Sequence, residues 1–268
     1  MFKKIMICVV ALFPLLADAG IWAWQLQITC PHGNAVEHAD LVLQPYMYLP
    51  LFDVLRRLSD ACRERGVTLW PGNNLGYFGP HEHALRKQQK QYSGHFTGCE
   101  AGRYTIAIES NGVIKNCPSL SGPANSSGSI REHSLRELWD APPMAYFRHQ
   151  TVDDLWGFCR TCYYADDCRA GCTATSEPLL GRPGNNPFCH HRALELHAQG
   201  LRERIERVRP ATSMAPFAQG LFRVVREHED EALRRQHGPV ATEEPRVSRL
   251  VEPTGPGRPL TAEEIEAL

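Results

Sequence analysis

The sequence predicts an α/β fold in two parts: an incomplete (β/α) barrel-type unit, then a small α+β domain organised around cysteine. Three observations carry this. A strand–helix–strand pattern runs from Trp22 to Trp70. A hairpin signal and a capped helix follow it. Of ten cysteines, seven fall between Cys99 and Cys189, leaving Cys8, Cys30 and Cys62 scattered. At 268 residues the chain is long enough to bury a core without disulfides. Its net charge of −1 argues against a nucleic-acid or membrane-surface partner.

At the N-terminus, Lys3 and Lys4 precede an apolar run from Ile5 to Leu16, followed by Ala17-Asp18-Ala19. Such a pattern fits either a secretory signal peptide or a helix of the barrel unit. The run is too short for a transmembrane span. Next, "WAWQLQIT" (Trp22–Thr29) is apolar and β-prone and reads as a strand. Leu49 to Arg65 carries Leu51, Val54, Leu55, Leu58, Ala61 and Cys62 at helical spacing on one face. Gly66 stands where a C-terminal cap belongs. "VTLW" (Val67–Trp70) then reads as a second strand, parallel to the first across a βαβ crossover. Ligands in such units bind at the carboxyl ends of the strands. Two glycine-bearing loops lie there, "CPHGNA" (Cys30–Ala35) and "PGNNLGYFGP" (Pro71–Pro80). Plain turn chemistry explains their glycines equally well, and Cys30 alone reads as a small hydrophobe. A closed barrel needs about eight strands, so the unit is incomplete.

In the middle of the chain, Asn111-Gly112 separates "RYTIAI" (Arg103–Ile108) from "VIKN" (Val113–Asn116), a strong hairpin signal. The hairpin would bring Cys99 and Cys117, at its outer ends, close together. Ser134 and Glu137 have capping-box spacing and start a helix through Trp139. Pro142 and Pro143 are expected to stop it.

Then comes "CRTCYYADDCRAGC", with the spacing C-x2-C-x5-C-x3-C over Cys159, Cys162, Cys168 and Cys172, and a later Cys189. Three chemistries compete. Disulfides are disfavoured because cysteines this close strain the bridge. Zinc prefers two separated C-x2-C knuckles, and only Cys159 and Cys162 form one. Two zinc sites need eight ligands, for which His190 or His191 would join the seven cysteines. Iron–sulfur clusters take several thiolates from a close run plus a remote partner. Spacing alone ranks iron–sulfur first, structural zinc second and disulfides last.

Taken together, Cys99, Gly112 and Cys117 spell C-x12-G-x4-C, followed by the C-x2-C-x5-C-x3-C run and Cys189. This pattern resembles the seven-cysteine SPASM motif of radical S-adenosylmethionine (SAM) enzymes that modify peptides and proteins. It spans Cys99 to His191, and Ile21 to Arg86 resembles the last part of a radical SAM barrel. The resemblance implies a partial radical-SAM-type (β/α) barrel remnant followed by a small α+β SPASM domain. It also implies two auxiliary 4Fe-4S clusters. Cys159, Cys162, Cys168 and Cys189 would hold the outer one, and Cys99, Cys117 and Cys172 the inner one. Glu100 is a further candidate for the fourth inner position, with solvated surface as its ordinary role.

The pattern departs from the family at one point. Radical SAM enzymes hold a SAM-cleaving cluster on C-x3-C-x2-C, and this sequence contains no such motif. No catalytic residue is assigned. SAM would serve only if the missing N-terminal half were supplied. The family implies a precursor-peptide substrate and a separate radical SAM protein or N-terminal fragment as partner. The alternatives are an iron–sulfur accessory or peptide-docking module, and a structural zinc protein. Because clusters are assembled in the reducing cytosol, a cytoplasmic protein is expected, with the apolar N-terminal run as a barrel helix. The expected divisions are residues 1–90 for the barrel part and 91–192 for the SPASM domain. Residues 193–237 are expected to form a helical segment, with Leu194, Ala198, Leu201, Ile205 and Val208 sharing a face from Arg192 to Val208. "APFAQGLFRVV" is expected to add a short element. Residues 238–268 read as a mobile tail with a final helix at "TAEEIEAL".

Overall fold

A computed structural model describes residues 2–76, 79–86, 98–120, 122–210 and 221–246. The N-terminal part comprises α1 (Phe2–Asp18), β1 (Ala23–Leu26), α2 (Asn34–Glu37), α3 (Tyr48–Glu64), β2 (Thr68–Pro71) and α4 (Glu82–Arg86). The cysteine-rich part comprises β3 (Ala107–Ile108), β4 (Val113–Lys115), β5 (Ser126–Ser129), α5 (Leu135–Asp140), α6 (Pro142–His149), α7 (Ala165–Cys168) and α8 (Thr173–Leu180). The chain continues through α9 (His190–His197), β6 (Leu201–Arg209), β7 (Leu221–His228), α10 (Glu231–His237) and β8 (Val240–Glu243).

The expected βαβ unit is present. β1 and β2 pair in parallel, from Ala23 opposite Thr68 to Leu26 opposite Pro71. The helix α3 between them buries Leu51, Leu55, Leu58 and Cys62, one stripe at helical spacing. It ends in a Schellman motif: the Val67 amide donates to the Cys62 carbonyl (2.8 Å) and the Gly66 amide to the Arg63 carbonyl (3.1 Å). Gly66 has φ +70°, the left-handed geometry that favours glycine there. These two strands form an open two-stranded sheet, and no sheet among the described residues closes into a barrel. The apolar N-terminal run is the helix α1, with Phe13 buried against α3 and stacked on Trp24. Among the described residues no helix is long and apolar enough to cross a membrane.

The predicted hairpin forms as β3 and β4, antiparallel, with Ile108 opposite Ile114. Gly112 supplies the positive φ its turn needs. A third strand, β5, which the sequence reading missed, pairs with β4. It is Ser- and Gly-rich and lacks the β-branched signature. Ile114 is fully buried beneath this sheet with Leu138 and Met144. Ile114→Val is expected to lower unfolding stability by about 1 kcal/mol, read from the denaturant midpoint. Ser134 caps α5, accepting from the Glu137 amide, while the Glu137 carboxylate accepts from the Ser134 amide. The helix ends at Asp140 as expected. Pro142 and Pro143, however, also begin α6 as its first two residues. A proline lacks only an N–H that the first turn leaves unpaired anyway.

Two expectations for the C-terminal third are corrected. The helix expected over Arg192–Val208 stops at His197, where Gly200 (φ +69°) turns the chain into the strand β6. β6 pairs with β7, and β7 with β8, in an antiparallel three-stranded sheet. The strand escaped detection because its inward face carries Glu203 beside Ile205, so the apolar alternation is broken. Val208, assigned to the apolar face, is exposed. The mobile tail expected from residue 238 instead begins with β8, whose Glu243 is buried. The Arg246 amide then donates to the Leu180 carbonyl. Of "APFAQGLFRVV", Leu221–Val225 lies in β7. The segment's start and the "TAEEIEAL" helix lie outside the described residues.

One main core joins the N-terminal part to the sheet that holds β6 and β7. Tyr48, Leu55 and Leu69 of the βαβ unit pack with Leu179, Phe188, Phe222 and Val224. The cysteine-rich residues form smaller clusters beside it.

Candidate cysteine centres

The motif cysteines sit at turns and helix ends. Cys159 lies in a 3-10 turn, Gly157–Thr161, and Cys162 caps its C-terminal end. Cys168 ends α7, Cys172 precedes α8 and Cys189 precedes α9. Cys159, Cys162, Cys168 and Cys189 line one open pocket, walled by Phe158 and Phe188. Cys99, Cys117 and Cys172 pack elsewhere, against Ala101, Leu120, Phe147 and Ala174. Cys30 packs with them.

The chain parts Cys168 from Cys172 by a local device. Four residues apart, both would lie on one face of a continuous helix. Instead Arg169, Ala170 and Gly171 all have positive φ, at 49°, 64° and 64°. Such angles are uncommon for arginine and alanine and cost on the order of 1–3 kcal/mol each. The left-handed stretch ends α7 and starts α8 in a new direction.

Electrostatics sorts the thiols in the same way. Burial pushes the Cys168 thiol well above its ordinary range, and Cys189, Cys159 and Cys162 push it further. Burial also raises Cys172, and there the neighbouring charges are Cys99, Cys30 and Cys117. Burial pushes Cys159 up to about 12 and Cys189 up to about 11. Four thiolates together in an apolar pocket repel one another, so as free thiols they stay protonated.

Yet every motif sulfur is met by backbone N–H groups, which favour the thiolate. The Asn186 amide donates to Cys159 Sγ (3.5 Å), Tyr164 to Cys162 Sγ (3.4 Å) and Arg192 to Cys189 Sγ (3.5 Å). Backbone amides of Gly171, Ala174 and Ser119 do the same for Cys168, Cys172 and Cys117. Cys99 is served by Ala101 and Thr173. Cys62, in the core of α3, shows the contrast: burial alone acts on it, raising it to about 11. A set of mutually repelling thiols, each with an N–H donor aimed at its sulfur, fits a polynuclear metal centre. A cationic metal core offsets the repulsion, and the N–H groups stabilise the bound sulfurs.

The two histidines considered as ligands diverge. His191 lines the cavity of the outer four, edge-on to Tyr164 at 5.0 Å. His190 turns away and stacks on Phe52 at 4.2 Å, its buried Nδ1 without a hydrogen-bond partner. Burial, and then His81, lower its pKa to about 4. Among the described residues no three His, Cys, Asp or Glu side chains gather closely enough to hold a single metal ion.

Sequence reasoning undervalued two further residues. Cys30, which by itself reads as a small hydrophobe, lies among the inner thiols. Asn74, in the "PGNN" loop, holds the Cys30 segment. The Asn74 Nδ2 donates to the Ile28 carbonyl (2.8 Å) and to Cys30 Sγ (3.8 Å), and its Oδ1 accepts from the Ile28 amide (3.2 Å). The signal available was position: both loops follow the strand ends where ligands bind. Glu100 adjoins Cys99 and raises its pKa, but its carbonyl, accepting from Arg103 and Tyr104, is the part tied into the structure.

Comparison with known proteins bears on the first half of this arrangement. Two solved structures, a histidine-tagged anSMEcpe and native anSMEcpe, both with bound AdoMet, align with 57% of the chain. Identity is 14% and 16%, and the TM-score is 0.37 in both cases. The alignments span 38% and 41% of those chains. No curated protein matches. Residues 99–163, which include Cys99, Gly112, Cys117, Cys159 and Cys162, match the SPASM family, an iron–sulfur cluster-binding domain. The chain therefore carries a SPASM-type iron–sulfur segment.

Proposed function

We propose that this chain binds two 4Fe-4S clusters and serves as the auxiliary-cluster part of a radical SAM peptide maturase. In this reading Cys159, Cys162, Cys168 and Cys189 hold the outer cluster, and Cys99, Cys117 and Cys172 belong to the inner one. The single observation that carries it is the separation of the thiols into two packed groups, with Cys172 leaving its own run to join Cys99 and Cys117. The SPASM match supports the iron–sulfur chemistry.

The clusters would supply electron transfer or a ligand for the peptide. The chain's own residues would bury the sulfurs, exclude water with Phe158, Phe188 and Phe147, and direct N–H groups at each sulfur. Such hydrogen bonds tune a cluster's reduction potential. SAM cleavage is no part of this proposal, because the sequence has no C-x3-C-x2-C; that step would fall to residues outside it. The substrate would be a ribosomal precursor peptide, in the cytoplasm.

The test is metal analysis of the anaerobically reconstituted chain. About eight irons and eight sulfides per chain are expected, with a brown colour that dithionite bleaches. A colourless protein with two zincs overturns the reading.

A further inference from the structure

We propose that Cys30 is the fourth cysteine of the inner centre, completing it from the βαβ unit rather than from the SPASM segment. The inference rests on the two-cluster reading and deepens it, since the seven-cysteine pattern leaves the inner centre one thiol short.

Three observations converge on Cys30. It packs against the same buried cluster as Cys99, Cys117 and Cys172, formed by Ala101, Leu120, Phe147 and Ala174. It stands near enough to Cys117 and Cys172 that a thiolate there would disfavour ionisation of both. Its sulfur has an N–H donor, as each motif sulfur does, but here the donor is the side-chain amide of Asn74 at 3.8 Å. Cys62, buried in the core of α3, shows the contrast: burial alone acts on its thiol. Asn74 is thus a positioning residue: one buried amide holds the Ile28 backbone at both its N–H and its carbonyl and reaches the sulfur two residues on.

The location has a consequence. Cys30 follows β1, at the carboxyl end of the parallel pair. An iron bound there ties the βαβ unit to the hairpin that carries Cys99 and Cys117. Ligation forms one Fe–S bond and releases the thiol proton to solvent.

The experiment uses the full reconstituted chain and two readouts. In the first, wild type is alkylated with iodoacetamide under native conditions, before and after iron is stripped by a chelator, and each cysteine is quantified by mass spectrometry. Cys30 is expected to stay protected while iron is bound and to react with the same time course as Cys99, Cys117 and Cys172 once it leaves. Cys62 stays unreacted and reports that the chain remains folded. Alkylation of Cys30 while the other three are protected overturns the proposal. So does protection of Cys30 that outlasts theirs.

In the second, Cys30→Ala is oxidised mildly and examined by electron paramagnetic resonance. A three-cysteine cube loses its unprotected iron, so a 3Fe-4S signal absent from wild type is expected. A spectrum identical to wild type overturns the proposal. If Cys30→Ala does not fold, the wild-type alkylation decides alone. A wild-type chain that takes up no iron is a separate result: it sinks the two-cluster reading itself, and the role of Cys30 with it.

Discussion

Pairs of cysteine variants are expected to divide the iron along the line that the fold draws. On the proposed assignment, Cys117→Ala/Cys172→Ala removes two ligands from one centre, so the chain keeps about half of the wild-type iron. Cys159→Ala/Cys172→Ala removes one ligand from each centre and leaves three cysteines in both, so each falls to a 3Fe-4S cluster and the chain keeps about three quarters of the iron. If Cys172 served the same centre as the rest of its run, the two results would be exchanged. Iron per chain, measured after anaerobic reconstitution and desalting, separates the two outcomes. The physical ground is the left-handed stretch at Arg169, Ala170 and Gly171, which turns Cys172 out of the direction of Cys168. Ala170 bears the cost of this geometry without glycine's freedom. It is buried among the outer residues, packed with Leu155, Cys159 and Ala165.

The largest loss of stability is expected from Arg192→Met. Arg192 is 1% exposed and stands between two buried carboxylates. Its Nε donates to Glu203 Oε2 at 2.6 Å, and its Nη2 to Glu203 Oε1 at 3.1 Å and Glu243 Oε1 at 2.8 Å. Its Nη1 donates to Asn185 Oδ1 at 3.0 Å. Burial alone would lower the pKa of the guanidinium, but Glu243 and Glu203 outweigh it and hold the charge in place. Removing the arginine leaves buried carboxylates without their main partner, which costs about 3–5 kcal/mol. Urea unfolding of the reconstituted chain at neutral pH measures it. A loss under about 1 kcal/mol would show that the network is not buried as described.

The same network sets a pH dependence. Burial raises the Glu203 carboxyl, yet Arg192 and Arg226 prevail and hold it below its ordinary value of 4.5. A depressed carboxyl contributes stability that is fully present above its unfolded pKa and lost as pH falls through the folded one. The Glu203 contribution to wild-type stability should therefore be full above about pH 5.5 and decline as pH falls below about 4.5, measured by urea unfolding across that range. The effect reaches the outer thiols as well. Glu203 lies in β6 and Glu243 in β8, so the C-terminal sheet anchors the arginine whose amide donates to Cys189 Sγ.

Local chemistry was legible wherever a few neighbouring residues decide the structure. The apolar stripe of α3, the glycine at its end, the Asn111-Gly112 turn and the Ser134–Glu137 cap each specify their element within one turn of chain. The legibility failed where a distant partner decides. The inward glutamate of β6 reads as polar surface until Arg192 and Arg226 are brought to it. β8 reads as tail until β7 offers an edge. Pro142 reads as a stop, although the same missing N–H lets it start α6.

The sequence by itself determined the chemistry of this protein: seven cysteines and a glycine in SPASM spacing, the βαβ unit before them, and the absence of the three-cysteine motif. Spacing along a chain does this because ligand type and turn geometry are local. Only the tertiary structure decided the company that Cys30 keeps. Cys30 is 69 residues from Cys99 in the chain, and no local pattern relates them. They meet because Asn74, from a second loop, fixes the end of β1, while the hairpin and the turn at Arg169–Gly171 carry Cys99, Cys117 and Cys172 to the same place.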